Sequence, residues 1–300
     1  MQQVFPLFCK SIGHRRHDKK MSADTRRFEK EDHAAVYVLA RPDWPKDIIE
    51  KSIAFLREKK SKPFLLAVDV GCGSGQNTRP LAPHFEKVIG IDVSEAQIKA
   101  AQSVETPSNV EFRIGSGESI PVPDGSADMI TVAEAVHWFD IDAFFREVDR
   151  VLKPCGCVAI YSYYNTHPLV EGDDNKNQLL KDVVLKFDSF LEPYASDRIR
   201  HVRNMLADIH IPYEETIRDD TLQIKHDTTL ASFMNFFRSW SSYRHYRVKN
   251  PTGPDPVLAM QDRFMEILGL ADCPLENAQI STSCPVVLLL GRKPENQPGH

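Results

Sequence analysis

Short apolar runs separated by polar turns dominate the chain from residue 63 onward. Such runs are typical of buried strands, and they predict strands at residues 64–70, 87–93, 128–133 and 158–163. A further strand is predicted at residues 110–114. The segments between them predict helices at residues 76–85, 94–104 and 141–152, with Ser94 as the N-cap of the second. Strands and helices that alternate with short links favour a doubly wound α/β fold with a mostly parallel sheet.

Segments with a different pattern precede and follow this alternation of strands and helices. Residues 28–60 predict a helical cover with Pro45 at a helix start. Residues 165–220 are polar and helix-prone, and predict a helical insertion, or lid, after the fifth strand, with an apolar stripe formed by Leu179, Leu180, Val183, Val184 and Phe187. Beyond it the pattern predicts a sixth strand, an aromatic-rich helix, a further helix and a seventh strand, at residues 221–225, 229–243, 257–268 and 286–291.

The two ends are expected to be tails. Residues 1–27 are polar and predict a mobile N-terminal tail, in which Met21 is an alternative start, and residues 296–300 predict a frayed end. The rest is expected to form a single domain over residues 28–295. Its parts are the N-terminal cover, the core, the insertion and the C-terminal strands and helices, at residues 28–60, 61–164, 165–220 and 221–295.

Composition narrows the class of protein. A chain of 300 residues with 42% hydrophobic residues can bury a substantial core, and a formal net charge of -5 gives no basic surplus for a nucleic-acid partner. No run approaches the roughly 20 apolar residues of a membrane span. Six cysteines without a Cys-x-x-Cys pair predict free thiols, no metal site and a cytoplasmic location. The absence of acids before Asp18 keeps a mitochondrial location as the lesser alternative.

The strongest local signal is a glycine-rich loop directly after the first strand. Asp69 ends that strand, and Gly71, Gly73 and Gly75 follow at every second position. The dinucleotide pattern Gly-x-Gly-x-x-Gly fails because Gln76 stands at its third glycine, and no Gly-Lys-Ser/Thr follows for a phosphate loop. The loop therefore suits a ligand without a phosphate chain, such as S-adenosylmethionine (SAM), which carries an ammonium and a carboxylate.

A second signal lies at the end of the second strand. Asp92 follows Asp69 by 23 residues, close to the roughly 20 at which an acidic side chain binds a ribose in doubly wound folds. Paired with the glycine loop, Asp92 is predicted to accept hydrogen bonds from both ribose hydroxyls.

Together these segments resemble the class I SAM-dependent methyltransferases. Residues 68–75 resemble the glycine motif of that superfamily, and later segments resemble its ribose-binding, adenine-side, fourth-strand and fifth-strand segments, at residues 90–94, 115–121, 128–139 and 152–156. The resemblance is good over residues 28–165 and loose over 220–295. It implies a Rossmann-like, seven-stranded fold, SAM as cofactor and methyl transfer as the activity.

The resemblance also implies a set of cofactor contacts. Asp69 and the three glycines would hold the methionyl part, Asp92 the ribose, and Val93 the adenine face. Gly117 and Glu118 would border the adenine edge, and Tyr37 would be a lid. The loop from Ala133 to His137 would lie under the sulfonium.

Within the superfamily the chain is similar to a narrower group. Tyr37, residues 41–45, the His137-Trp138-Phe139 segment and residues 239–241 resemble trans-aconitate methyltransferase-like enzymes and uncharacterised vertebrate small-molecule methyltransferases. The group usually has Tyr-Pro where this chain has Trp44-Pro45, a minor departure.

The acceptor determines which further residues are needed. A carboxylate acceptor is already ionised and needs a cation to hold it, for which Arg238 is the candidate. An amine, phenol or carbon acid is helped by a base, for which His137 is the catalytic candidate. Tyr163, Tyr164 and Trp240 are the other candidates for the acceptor site.

Three functional interpretations remain open. The favoured one is methylation of a small molecule, with O-methylation of a carboxylic acid as the leading example. The second is C- or N-methylation of a lipid-like or quinone-like acceptor, and the third is SAM binding without catalysis. The sequence leaves monomer and homodimer open.

Overall fold

The computed structural model describes residues 44–295. The predicted tails at 1–27 and 296–300, Tyr37, and residues 28–43 of the predicted cover lie outside the described residues. The strands of the described part are β1 Leu66–Val70, β2 Lys87–Asp92, β3 Val110–Ile114, β4 Ala127–Ala133, β5 Leu152–Tyr163, β6 His167–Leu169, β7 Glu215–Thr229 and β8 Gln279–Arg292.

These strands form one mostly parallel sheet. Its order is β3-β2-β1-β4-β5-β8, and β7 pairs with the other side of β8. β1 to β5 pair in parallel, whereas β8 runs antiparallel to both β5 and β7. β6 pairs with residues 281–283 of β8, which β7 pairs from the opposite side, so β6 lies end to end with β5. Counted across its width, the described sheet therefore has seven strands, as predicted.

Helices surround this sheet. They are α1 Lys46–Arg57, α2 Thr78–Leu81, α3 Glu95–Gln102, α4 Ile141–Val151, α5 Asp174–Leu191, α6 Arg200–Arg203, α7 Leu230–Arg238, α8 Ser241–Lys249 and α9 Pro256–Leu268. Ser94 caps α3 as predicted, because its hydroxyl accepts a hydrogen bond from the N–H of Gln97. Asp140 caps α4 in the same way.

The side chains of β5 show why helices lie on both faces of the sheet. Successive residues of a strand point to opposite faces. Ala159 and Tyr161 join a core cluster with α1, α5, α7 and α9, whereas Val158 and Ile160 join a second cluster with α4. The α/β fold with helices on both faces is confirmed.

Several elements differ from the sequence analysis. β5 begins at Leu152 rather than at residue 158, and β6 is a short strand that was not predicted. β7 begins at Glu215, inside the predicted insertion at 165–220, and β8 is longer than the predicted 286–291. β7 is a mostly exposed strand, so its backbone pairing with β8 rather than an apolar run defines it. The predicted helix at 229–243 is two helices, because Trp240 adopts an extended backbone (φ -64°, ψ 135°).

Neither a membrane-crossing helix nor a metal cluster is found in the described part of the chain. None of its helices is long and apolar enough to span a membrane. Residues 44–295 likewise contain no group of three or more His, Cys, Asp or Glu side chains arranged to hold a metal ion.

Candidate functional site

The glycine loop between β1 and α2 requires glycine for two physical reasons. Gly71, Gly73 and Gly75 all have positive φ, at 72°, 52° and 84°. A Cβ at Gly71 would lie 2.5 Å from the Cβ of Ala135, and a Cβ at Gly75 would lie 2.5 Å from the ring of Phe112. A Cβ at Gly73 would meet only the Gln97 Oε1 within 4 Å among the described atoms, at 3.8 Å. The loop is therefore tightly packed at its ends and open at its middle.

Asp69 lies beneath this loop. Its carboxylate is fully buried and accepts hydrogen bonds from Asn77 Nδ2 (2.7 Å), Thr78 Oγ1 (2.6 Å) and Thr131 Oγ1 (2.8 Å). Burial raises the pKa of Asp69, against the opposing effect of these hydrogen bonds. Asp69 is not among the cavity-lining residues described below. Asp69 therefore supports the loop from below, and the direct contact with the methionyl group that the resemblance implies stays a prediction.

Asp92 closes the loop from the opposite side. Its Oδ2 accepts a hydrogen bond from the Gly73 N–H (2.9 Å), and its Oδ1 accepts one from the Ser94 N–H (2.8 Å). Burial raises the pKa of this carboxyl as well, although the backbone hydrogen bonds lower it. A carboxylate has about four lone-pair positions, so both oxygens can accept further hydrogen bonds from a ribose.

A cavity of about 670 Å³ opens above Asp92, and we call it the adenosyl cavity. It is lined by Gly71, Gly73, Asp92, Val93, Gln97, Gly115, Ser116, Gly117, Ala133, Glu134, Ala135, Trp138 and Phe139. Gly117 packs closely there, because a Cβ would lie 3.0 Å from the ring of Phe139. Glu118 is outside the lining, because its carboxylate accepts a hydrogen bond from the Asp140 N–H (2.9 Å).

A smaller cavity of about 450 Å³ lies on the other side of the loop, and we call it the methionyl cavity. It is lined by Trp44, Gly71, Cys72, Gly73, Ser74, Gln76, Asn77, Ala133, Glu134 and Tyr163. Within residues 44–295, the buried Ser74 Oγ and the buried Gln97 Oε1 of the adenosyl cavity have no hydrogen-bond partner. Orphaned polar atoms beside an open loop fit a polar ligand, and these cavities together fit SAM.

The third cavity, of about 770 Å³, lies beyond the end of β4, and we call it the acceptor cavity. It is lined by Glu134, His137, Trp138, Tyr163, Tyr164, Asn165, Thr166, Asp188, Ala195, Ile199, Val202, Arg203, Phe236, Ser239, Trp240, Ser241 and Ser242. Tyr163, Tyr164 and Trp240, the predicted acceptor-site residues, all lie in this lining. The predicted lid region contributes through α5 and α6.

His137 lines the acceptor cavity but neither cofactor cavity. It lies in a 3₁₀ turn at Val136–Trp138, is 4% exposed, and its ring centroid is 4.7 Å from that of Trp138. Arg198 fixes this turn from outside, donating hydrogen bonds to the carbonyl oxygens of Trp138 and Phe139. The structure thus places His137 beside the acceptor cavity, and the cofactor contact that the resemblance implies stays a prediction.

The cation of the acceptor cavity is Arg203, not Arg238. Arg203 donates to both carboxylate oxygens of Asp188, at 2.8 and 2.9 Å, and the Tyr164 hydroxyl donates to the same carboxylate at 2.7 Å. Arg238 lies outside the lining and donates to Asn235 Oδ1 (3.2 Å). The structure therefore places Arg203 in this lining and Arg238 outside it, and the role of Arg238 as a carboxylate clamp stays a prediction. The reason is that the predicted helix ends at Arg238, and Trp240 turns into the cavity instead.

Several lining residues were missed by sequence reasoning. Ser74 lies between two of the glycines, and Gln76 and Asn77 directly follow the last one. Their positions beside the glycine motif could have identified them as cavity residues. Glu134 lies in the loop that was expected under the sulfonium but was not singled out, although an acidic residue directly after a buried strand was a usable signal. Asp188 and Arg203 had none, because only the folding of the insertion brings them to the cavity.

Comparisons with known proteins agree with this geometry. The family described as "Methyltransferase domain" matches residues 68–160. A methyltransferase of Dictyostelium discoideum is 33% identical over 228 residues, which cover 76% of this chain and 82% of that protein. A protein of Saccharomyces cerevisiae named as an S-adenosylmethionine-dependent methyltransferase is 27% identical over 80% of this chain and 89% of its own length.

A solved structure extends the likeness to the whole fold. The protein named as a type II methyltransferase from Anaeromyxobacter dehalogenans is 26% identical, with a TM-score of 0.68, covering 85% of this chain and 99% of that one. These relatives do not single out the trans-aconitate group, whose resemblance stays a prediction. The chain belongs to the class I SAM-dependent methyltransferases, enzymes whose cofactor is S-adenosylmethionine.

Proposed function

We propose that this enzyme methylates a small, uncharged molecule that binds in the acceptor cavity through an aromatic or apolar body and presents a hydroxyl or amine. SAM supplies an electrophilic methyl group on a cationic sulfonium. Asp92 would hold its ribose, Val93 and Phe139 its adenine, and Ser74 with the glycine loop its amino-acid end. The acceptor cavity is lined by aromatic and aliphatic side chains together with polar groups, as small-molecule sites usually are.

The charged side chains that line the acceptor cavity determine which class of acceptor we propose. An acceptor carboxylate needs an available cation. Arg203 is already bonded to both oxygens of Asp188, and Glu134 adds a second carboxylate to the lining. Removing an anion from water into such a lining is unfavourable. This supports an uncharged acceptor with an apolar body, as the lipid-like or quinone-like alternative has, over a carboxylic acid; unlike that alternative, which was C- or N-methylation, the proposal also admits a hydroxyl acceptor.

Aromatic side chains support the same choice. Trp138, Tyr163, Phe236 and Trp240 offer flat apolar surfaces to an acceptor. One relative, the 2-methyl-6-phytyl-1,4-hydroquinone methyltransferase of Synechocystis, acts on a hydroquinone, but its 31% identity covers only 43% of this chain and 44% of that protein. The lining, rather than this relative, therefore carries the proposal.

A matched acceptor panel tests it. SAM binding is first measured by calorimetry, and SAM labelled in its methyl group is then offered with phenol, aniline or benzoic acid, which share one ring. We expect label in phenol or aniline and little in benzoic acid. Preference for benzoic acid would restore the carboxylic-acid interpretation. SAM binding without transfer to any member of a broadened panel would support the non-catalytic one.

A further inference from the structure

We propose that Glu134 is the charged residue of the reacting centre: its carboxylate opposes the positive charge of the methyl donor and takes up the proton of the acceptor. This inference rests on the proposed function. Among the described residues that line the three cavities, Glu134 is the one common to all of them. Trp138 is shared by the adenosyl and acceptor cavities, and Tyr163 by the methionyl and acceptor cavities. The passage between cofactor and acceptor is therefore bounded by these three side chains.

The backbone of Glu134 is held in a costly conformation. Its φ is 54°, in the left-handed region that glutamate rarely adopts. Such strain persists where the surrounding structure fixes it, and it concentrates at functional sites. Here the Glu134 N–H donates to the Tyr161 carbonyl oxygen (2.9 Å), which fixes the residue at the end of β4.

The side chain is fixed as well. Glu134 Oε2 accepts hydrogen bonds from the Ser162 hydroxyl (2.6 Å) and the Tyr163 N–H (3.1 Å), both at the end of β5. A carboxylate aligned in this way needs no reorganisation when charge develops beside it. Both donors hold the carboxylate oxygen at the end of β5, beside the passage.

Methyl transfer moves positive charge across this passage. The lone pair of the acceptor oxygen or nitrogen forms a bond to the methyl carbon, and the carbon–sulfur bond breaks with its electron pair left on sulfur. The positive charge thereby passes from sulfur to the acceptor atom, and the proton of that atom is taken up by the Glu134 carboxylate. Because Glu134 borders both sides, one carboxylate stabilises the charge before and after it moves.

Ligand binding tests the inference without an identified acceptor. Calorimetry measures the affinities for SAM and for S-adenosylhomocysteine, whose sulfur is uncharged, in the wild type and in Glu134→Gln. We expect SAM to bind about tenfold more weakly in Glu134→Gln and S-adenosylhomocysteine to change less than about twofold. Glu171→Gln, at an exposed turn, removes the same charge elsewhere and should change neither affinity. Glu134→Asp, which keeps the charge on a shorter side chain, should lie between the wild type and Glu134→Gln.

The outcomes separate this inference from the proposed function. Equal changes for both ligands in Glu134→Gln, including loss of both through misfolding, would overturn the inference alone. A wild type that binds neither ligand would overturn the proposed function. With the acceptor identified by the panel, Glu134→Gln should lower kcat about 100-fold, and an unchanged kcat would remove the proton-accepting role.

Discussion

The Asp92 carboxylate accepts a hydrogen bond from the N–H of Gly73, 2.9 Å away, and so ties the end of β2 to the middle of the glycine loop. We predict that Asp92→Ala weakens SAM binding about 100-fold, because charge-assisted hydrogen bonds to the ribose worth about 3 kcal/mol are lost. Titration calorimetry measures this change. Asp142→Ala, an exposed change in the first turn of α4, is the control and should leave the affinity unaltered. Wild-type affinity in Asp92→Ala would contradict the ribose assignment.

A comparison of alanine variants at Gly73 and Gly172 separates the cost of backbone strain from the loss of a ligand contact. Gly73 and Gly172 both have positive φ, at 52° and 76°, and a Cβ at Gly172 would meet no atom of residues 44–295 within 4 Å. We predict that Gly73→Ala and Gly172→Ala each cost about 1–2 kcal/mol of unfolding free energy, because alanine resists left-handed backbone. Only Gly73→Ala should also lose SAM binding, since its methyl group enters the cofactor cavities. Urea unfolding and calorimetry give the two quantities, and equal SAM affinity in both variants would refute the placement of the loop.

Local patterns explain how much of the fold was predictable. The strand at Val110–Ile114 matches its prediction at both ends, because apolar residues at every second position between two turns define it. The glycine loop was predictable for the same reason, since Gly71, Gly73 and Gly75 are neighbours in sequence.

Long-range pairing explains what was not predictable. The sequence analysis predicted only residues 221–225 of β7, because the exposed residues of this strand show no apolar alternation. The full length of the strand depends on its pairing with β8, which lies 50 or more residues later in the chain. The Asp188–Arg203 pair joins α5 to α6, and nothing in either segment marks it as part of a cavity wall. The acceptor side of the site therefore depends on tertiary structure, whereas the cofactor side depends on local motifs.

Alanine variants of Arg203 and Arg238 compare an arginine inside the lining of the acceptor cavity with one outside it. Arg203→Ala leaves the buried carboxylate of Asp188 with the Tyr164 hydroxyl but without its cation. We predict that it lowers the unfolding free energy by about 2 kcal/mol, less than the loss of a partner from a fully buried ion pair, because Arg203 is partly exposed. Arg238→Ala should cost less than about 0.5 kcal/mol and leave methyl transfer unchanged. A loss of transfer in Arg238→Ala with normal stability would instead favour the carboxylate-clamp interpretation.

The free energy of unfolding should depend on pH through Asp128, a residue near the start of β4 whose carboxylate binds the backbone just before β1. Its Oδ2 accepts hydrogen bonds from the Leu65 N–H (2.7 Å) and from Lys153 Nζ (2.8 Å), and Lys60 lies 3.0 Å from Oδ1. Burial raises the pKa of Asp128, but the hydrogen bonds from Lys153, the backbone and Lys60 outweigh it, and the pKa lies below its ordinary value. The folded protein therefore binds this proton more weakly than the unfolded chain does. The resulting stability is fully present above the unfolded pKa of about 4 and is lost as pH falls through the lower folded pKa.

Asp128→Asn should reveal this contribution as a pH-dependent difference from the wild type. At about pH 7 we predict a loss of about 2 kcal/mol of unfolding free energy, because the charged acceptor of these hydrogen bonds is gone. At about pH 3 the difference should shrink, because protonation then begins to neutralise Asp128 in the wild type too. Urea unfolding at the two pH values measures both differences, with Asp142→Asn as a control whose carboxylate is exposed. A difference that stays constant with pH would show that Asp128 acts by its shape and packing and not by its charge.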